Sequence, residues 1–136
     1  MADVALDFTY DHSITEVWEA ITTSSVLEQW IMPNDFKAEV GFDFEFKVQA
    51  NPYWDGIIRG QVLEVSAPNK LTYRWASAGE TTTITWTLTE KSPTKTHLHF
   101  EMDGFSESTK QQPGAIQGAI SSWSAFGEKL KEVLEK

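Results

Sequence analysis

The hydrophobic period of this chain is two over most of its length and becomes 3.6 near its end, and that change restricts what it can fold into. Phe42, Phe44, Phe46 and Val48 alternate with Asp43, Glu45, Lys47 and Gln49. The same rhythm recurs in Leu71, Tyr73 and Trp75, in Ile84, Trp86 and Leu88, and in Leu98, Phe100 and Met102. Such alternation marks strands with one apolar and one wetted face. From about Pro113, Ile116, Ile120, Trp123, Phe126, Leu130, Val133 and Leu134 share one stripe of a long helix, with Glu128, Lys131, Glu132, Glu135 and Lys136 opposite. Proline suits the first turn of that helix, where its missing N–H costs nothing. A one-faced sheet and a one-striped helix satisfy each other by packing together, so the helix is expected to lie across the sheet.

The start of the chain adds a strand over residues 3–10, with Val4, Leu6, Phe8 and Tyr10 on one face, and then two short helices. Each helix opens with a serine three residues before a glutamate, Ser13 with Glu16 and Ser25 with Glu28, the spacing of a reciprocal capping box. Ile14, Val17, Trp18 and Ile21 form the apolar face of the first. Pro33-Asn34-Asp35 ends the helical pattern, and Phe36 to Val40 and Phe42 to Ala50 read as strands meeting at Gly41. Asn51 to Gly56 is a turn-rich loop, Ile57 to Ser66 a further strand, and turns fall at Pro68-Asn69, Ala78-Gly79 and Ser92-Pro93. The count is seven antiparallel strands in an α+β chain, read as one domain over 1–136.

Bulk properties exclude several classes. The 136 residues contain no cysteine, which removes disulfide frameworks and thiolate metal sites. A net charge of -9 repels phosphate backbones and anionic bilayers, so nucleic acid is not expected as a partner. No run of about eighteen apolar residues occurs and the start has no signal-peptide pattern, so membrane insertion is not expected and a cytoplasmic location is.

The residues resemble the START-like, or SRPBCC, helix-grip superfamily, in the branch related to the C-terminal domain of the heat-shock chaperone ATPase activator. The resemblance runs along essentially the whole chain. It rests on Val17-Trp18-Glu19-Ala20-Ile21-Thr22, Gln29-Trp30, Gly41, Gly60-Gln61-Val62-Leu63-Glu64-Val65 leading to Pro68, Trp75, Gly104-Phe105, and Trp123 with Leu130. It implies a helix-grip fold, a sheet curled around the last helix with an apolar cavity between them, and a heat-shock chaperone as a partner. It also implies, as an alternative on the same fold, an enzyme of polyketide-cyclase type.

Six tryptophans are many for this length, and Trp30, Trp75, Trp86 and Trp123 fall on the inner face or at its mouth. With Phe44, Phe46, Phe100 and Phe126 they are expected to line a cavity for a small apolar or aromatic molecule, lipid-like or polyketide-like. Trp54, in the turn-rich loop beside Tyr53, reads as a lid over the mouth or an exposed contact. Gly127 interrupts the apolar stripe between Trp123 and Leu130 at a cost of about 1 kcal/mol relative to alanine. Either a bulky sheet residue such as Trp86 or the ligand fills the space it leaves.

No cofactor is expected, and chemistry has little support. There is no nucleophile elbow and no phosphate-cradling glycine loop. Glu64 and Tyr73 are the acid–base candidates that a cyclase-type enzyme would use. Arg74 alternates to the outside, whereas Arg59 lies in a strand apolar at both parities and its facing is open. His97, His99 and Glu101 share the face opposite Leu98, Phe100 and Met102, which is the solvent side, so metal ligation is not expected there despite the His-x-His spacing. His12 reads as a loop residue. The reading is a helix-grip protein that binds a small apolar or aromatic molecule.

Overall fold

The computed structural model describes residues 3–48, 52, 55–77 and 80–135. Strand β1 (Val4–Tyr10) is followed by helices α1 (Ile14–Thr22) and α2 (Ser24–Trp30). Then come β2 (Asp43–Lys47), β3 (Ile57–Ser66), β4 (Lys70–Ser77), β5 (Glu80–Ser92) and β6 (Lys95–Asp103), and last α3 (Glu107–Gln111) and α4 (Ala115–Leu134). The strands form one antiparallel sheet in the order β1-β6-β5-β4-β3-β2. Pairing of the first strand with the last sets β1 at one edge, where α4 packs against it and against α1 and α2.

Among the described residues the sheet has six strands, not seven. The expected strand at Phe36–Val40 is replaced by a chain of turns, because side chains and turns take the backbone groups a ladder would use. Asn34 Oδ1 accepts from the Phe36 N–H at 3.0 Å, and Asp35 Oδ1 accepts from the Glu45 N–H at 2.7 Å. The Glu39 N–H turns back to the Lys37 carbonyl, and Gly41 takes a φ of 88°, which favours glycine. One isolated bridge, Asn34 to Phe46, is what remains of the pairing. Phe36 is nonetheless buried, against the rings of Phe44 and Tyr73. β2 is also shorter than the expected run from Phe42 to Ala50; Gln49, Ala50 and the loop residues Asn51, Tyr53 and Trp54 lie outside the described residues, as does the turn at Ala78-Gly79.

The first capping box forms as read, with Ser13 Oγ accepting from the Glu16 N–H and the Glu16 carboxylate accepting from the Ser13 N–H. The second does not. α2 begins at Ser24 after Thr23, which places Ser25 inside the helix, and the Ser24 hydroxyl instead donates to the Asn34 carbonyl at 2.9 Å. Pro33-Asn34 is thereby tied back to the start of α2. The last helix also begins later than expected: Gly114, at a φ of 80°, is its N-cap, and Pro113 precedes the helix instead of entering its first turn. The short α3, capped by Ser106, fills the connection that the sequence pattern left irregular.

Candidate functional site

Period-two alternation aims the large side chains of β2, β4, β5 and β6 at α4, and they fill the space between helix and sheet. Trp123 stands at the centre, its ring 4.8 Å from Phe100 in a stacked pair, 5.3 Å from Trp75 and 5.2 Å from Phe126. Trp86 lies 4.8 Å from Phe100 and 5.9 Å from Trp30. Phe44 and Phe46 continue the layer toward Tyr73 and Trp75. Two of the indole N–H groups are satisfied inside the layer: Trp86 Nε1 donates to the Tyr73 hydroxyl at 2.8 Å, and Trp30 Nε1 to the Ala20 carbonyl at 2.9 Å. Burial raises the Tyr73 phenol above its ordinary value and keeps it neutral.

Open space lies at the two ends of this aromatic layer. The larger cleft, about 780 Å³, is formed where the end of α2 and the Ile31-Met32-Pro33 segment face the end of β2 and one face of α4. Trp30, Ile31, Met32, Val48 and Phe126 give it apolar walls, and Glu28, Lys47 and Lys129 bring exposed charges to it. Val48 is 40% exposed, an uncommon state for a large apolar residue in this chain. Among the described residues neither Lys47 nor Lys129 has a carboxylate partner within ion-pair distance. The smaller cleft, about 250 Å³, opens at the other end, between Trp75, Thr82, Met102, Phe105 and Trp123. The acid beside it, Glu80, is engaged by Ser106 and Thr109 at the start of α3, and these hydroxyl and amide donors hold its carboxyl below the ordinary value.

The ten residues expected at a ligand site therefore separate. Trp30 and Phe126 line the larger cleft, and Trp75 and Trp123 the smaller. Phe44, Phe46, Trp86 and Phe100 lie in the packed layer between them. Gly127 is buried against the ring of Phe8, so the sheet residue that fills its space is Phe8 and not Trp86. Trp54 lies outside the described residues. Ile31, Met32, Lys47, Val48 and Lys129 join the larger cleft without having been expected at a site: Ile31 and Met32 follow α2 where no periodicity operates, Lys47 and Val48 were read as strand alternation alone, and Lys129 lies on α4 off its apolar stripe. The acid–base pair does not assemble: Tyr73 is buried against Trp86, while the Glu64 carboxylate is half exposed and 3.6 Å from Lys70. Arg74 is exposed as expected. Arg59 also faces outward, 3.1 Å from Asp55 and 3.8 Å from Glu45.

Residues 11–135 match the family model described as Activator of Hsp90 ATPase homolog 1-like protein. No curated protein matches the chain in sequence. Among solved structures, a protein from Mesorhizobium loti is 33% identical, with 97% of this chain and 96% of that one covered and a TM-score of 0.85. A protein from Bacillus halodurans is 26% identical, with 96% and 95% covered and a TM-score of 0.77. An HSP90 activator from Plasmodium falciparum shares the fold at 18% identity, with 96% of both chains covered and a TM-score of 0.76. Among the described residues, no helix is long and apolar enough to cross a membrane.

Proposed function

From the premise that the chain belongs to the Activator of Hsp90 ATPase homolog 1-like family, we propose that it acts as one domain that binds a small apolar or aromatic molecule in the cleft between α2, β2 and α4. The observation that carries this reading is the cleft itself: about 780 Å³, walled by Trp30, Ile31, Met32, Val48 and Phe126. Small-molecule sites are concave, mostly apolar and equipped with a few placed polar groups, commonly at about 300 to 1,000 Å³. Here the charged groups are two ammonium groups, Lys47 and Lys129, and one carboxylate, Glu28, and the excess of positive charge suits a carboxylate at one end of the ligand. An acidic amphiphile thus fits better than a neutral hydrocarbon. Dodecanoate and dodecanol, titrated while tryptophan emission is followed, test the reading. Saturable quenching with the acid the tighter binder supports it; absence of quenching and of thermal shift by both, up to their solubility limits, would count decisively against it.

The family description favours a second reading, contact with a heat-shock chaperone, and the Plasmodium protein of the same fold is itself an HSP90 activator. Chaperone ATPase rate with and without this protein tests it. An unchanged rate at saturating protein sets it aside.

A further inference from the structure

The outer face of the sheet, away from both clefts, carries a second constellation. We propose that Asp7, His97 and His99 form a binding site for a divalent transition metal ion of the zinc type, with Glu101 as the carboxylate that orients His99. The antiparallel register of β1 and β6 sets Asp7 directly opposite His99, with Thr9 opposite His97. Leu98 and Phe100 are fully buried, so the two histidines between and beside them project together from the opposite face. Sequence reading found the His-x-His pair but not the ligand from the distant strand, and that ligand makes the difference.

The donor atoms converge. One nitrogen of each histidine and one oxygen of Asp7 all lie within 4.8 Å of one another. Asp7 Oδ1 is 2.9 Å from His97 Nε2 and 2.8 Å from His99 Nδ1. His97 thus reaches over with its far nitrogen while His99 offers its near one, which brings two donors two residues apart onto one point. Two imidazoles and one carboxylate, with water completing the shell, are a donor set that zinc accepts in tetrahedral geometry.

The second nitrogen of His99 supplies independent support. His99 Nε2 lies 3.1 Å from Glu101 Oε1, so a ring whose Nδ1 faces the metal position has its other N–H donated to a carboxylate. That is the outer arrangement that fixes tautomer and ring orientation for metal-bound histidines. The cross-strand partners bring no competing cation, and Lys95, two residues before His97 on β6, is 3.8 Å from Asp11. On β5 the partners of His97, His99 and Glu101 are Thr89, Thr87 and Thr85, and on β1 the partner of Glu101 is Ala5. Two carboxylates therefore face two imidazoles, and with neutral rings one divalent ion balances the two negative charges. As a bare ion cluster at a half-exposed surface the group would contribute little to stability.

The test uses tag-free protein stripped with chelator, titrated with Zn²⁺ against a chromophoric competitor, and with Co²⁺ followed by visible absorption. One equivalent per chain is expected, with the Co²⁺ spectrum of a four-coordinate site. His97→Gln, His99→Gln and Asp7→Asn should abolish stoichiometric binding while leaving the melting temperature nearly unchanged, and Glu101→Gln should weaken it about tenfold. His12→Gln should bind as the parent does. No saturable equivalent at micromolar Zn²⁺, binding that survives Asp7→Asn, or binding lost in His12→Gln would each overturn the proposal. Dodecanoate affinity should be the same in all these variants, so the outcome is independent of the cleft.

Discussion

The ring of Phe8 occupies the place where a side chain at Gly127 would stand. The contact has a polar companion one turn of the pleat away, because the buried Tyr10 hydroxyl donates to the Gly127 carbonyl at 2.8 Å. Glycine thus lets α4 settle onto the edge strand, and the phenol fixes where along the helix it settles. The helix pays in propensity and gains in contact.

Gly127→Ala should therefore destabilise the protein. Alanine improves helix propensity by about 1 kcal/mol, but its Cβ collides with the Phe8 ring, and overpacking of this kind costs about 1 to 3 kcal/mol. In a Phe8→Ala background the collision is gone and the same substitution should become stabilising, by about 1 kcal/mol. Urea denaturation of the four proteins of this cycle reads the reversal of sign. Two substitutions that simply add would mean the ring is not what glycine accommodates.

Tyr73 and Trp86 make a second checkable pair. Tyr73→Phe removes the acceptor of the Trp86 indole N–H inside the aromatic layer, where water does not replace it. Leaving a buried donor unpaired costs about 1 to 3 kcal/mol, so the midpoint of unfolding should fall accordingly. Double replacement with Trp86→Phe should recover part of that polar penalty, while adding the cost of the smaller ring. A Tyr73→Phe protein as stable as the parent would show that the layer has another acceptor within reach.

What the sequence made legible, and what it hid, divides along one physical line. Elements whose side chains repeat against a common core were readable: the alternation in β4, β5 and β6, the stripe of α4 and the Ser13–Glu16 cap all appear where the pattern put them. Phe36–Val40 misled because the segment has strand-like apolar residues, yet the competing hydrogen bonds come from Asn34 and Asp35, two and one positions before it, and from Gly41 after it. The space at Gly127 was visible as a missing side chain, but which residue fills it depends on β1 pairing with β6 and so lying under α4, a contact between segments far apart in the chain. The larger cleft was half visible: Trp30, Val48 and Phe126 stood in the elements the pattern predicted, whereas Ile31 and Met32 follow the end of α2 and acquire meaning when α2 and β2 are set side by side.

Acid should act in part through Asp3. Partial burial pushes its carboxyl upward, but the N–H groups of Phe105 and Gly104, at 3.1 and 3.0 Å, together with the Lys110 ammonium, outweigh that and leave it below the ordinary aspartate value. A folded-state value below the unfolded one contributes stability that is full above the unfolded value and lost as pH falls through the folded one. Asp3→Asn keeps an acceptor oxygen for the two N–H groups but removes the charge, and should accordingly destabilise the protein near neutrality, by about 1 kcal/mol or less. The difference from the parent should shrink as pH drops below the ordinary carboxylate range. Thermal melts of both proteins across that range would reveal a pH-independent gap if the carboxylate charge is immaterial.

The lysines of the larger cleft provide the sharpest test of what it holds. Lys129 projects from α4 and Lys47 from the end of β2, so the two ammonium groups approach the cleft from elements that are separate in sequence and joined by nothing but the space between them. Methionine keeps most of a lysine's apolar stem and removes its charge. Lys47→Met with Lys129→Met should therefore leave the walls intact, change stability little because both positions are exposed, and act on the ligand's charged end alone. Dodecanoate should lose about tenfold or more in affinity, the loss of a charged hydrogen bond of about 1.5 to 3 kcal/mol, while dodecanol should bind as before or better. Phe126→Ala should do the reverse, weakening both probes alike. If the double methionine variant binds acid and alcohol with the parent's preference, the carboxylate lies elsewhere, and if Phe126→Ala affects neither, the cleft between α2, β2 and α4 is not where these molecules bind.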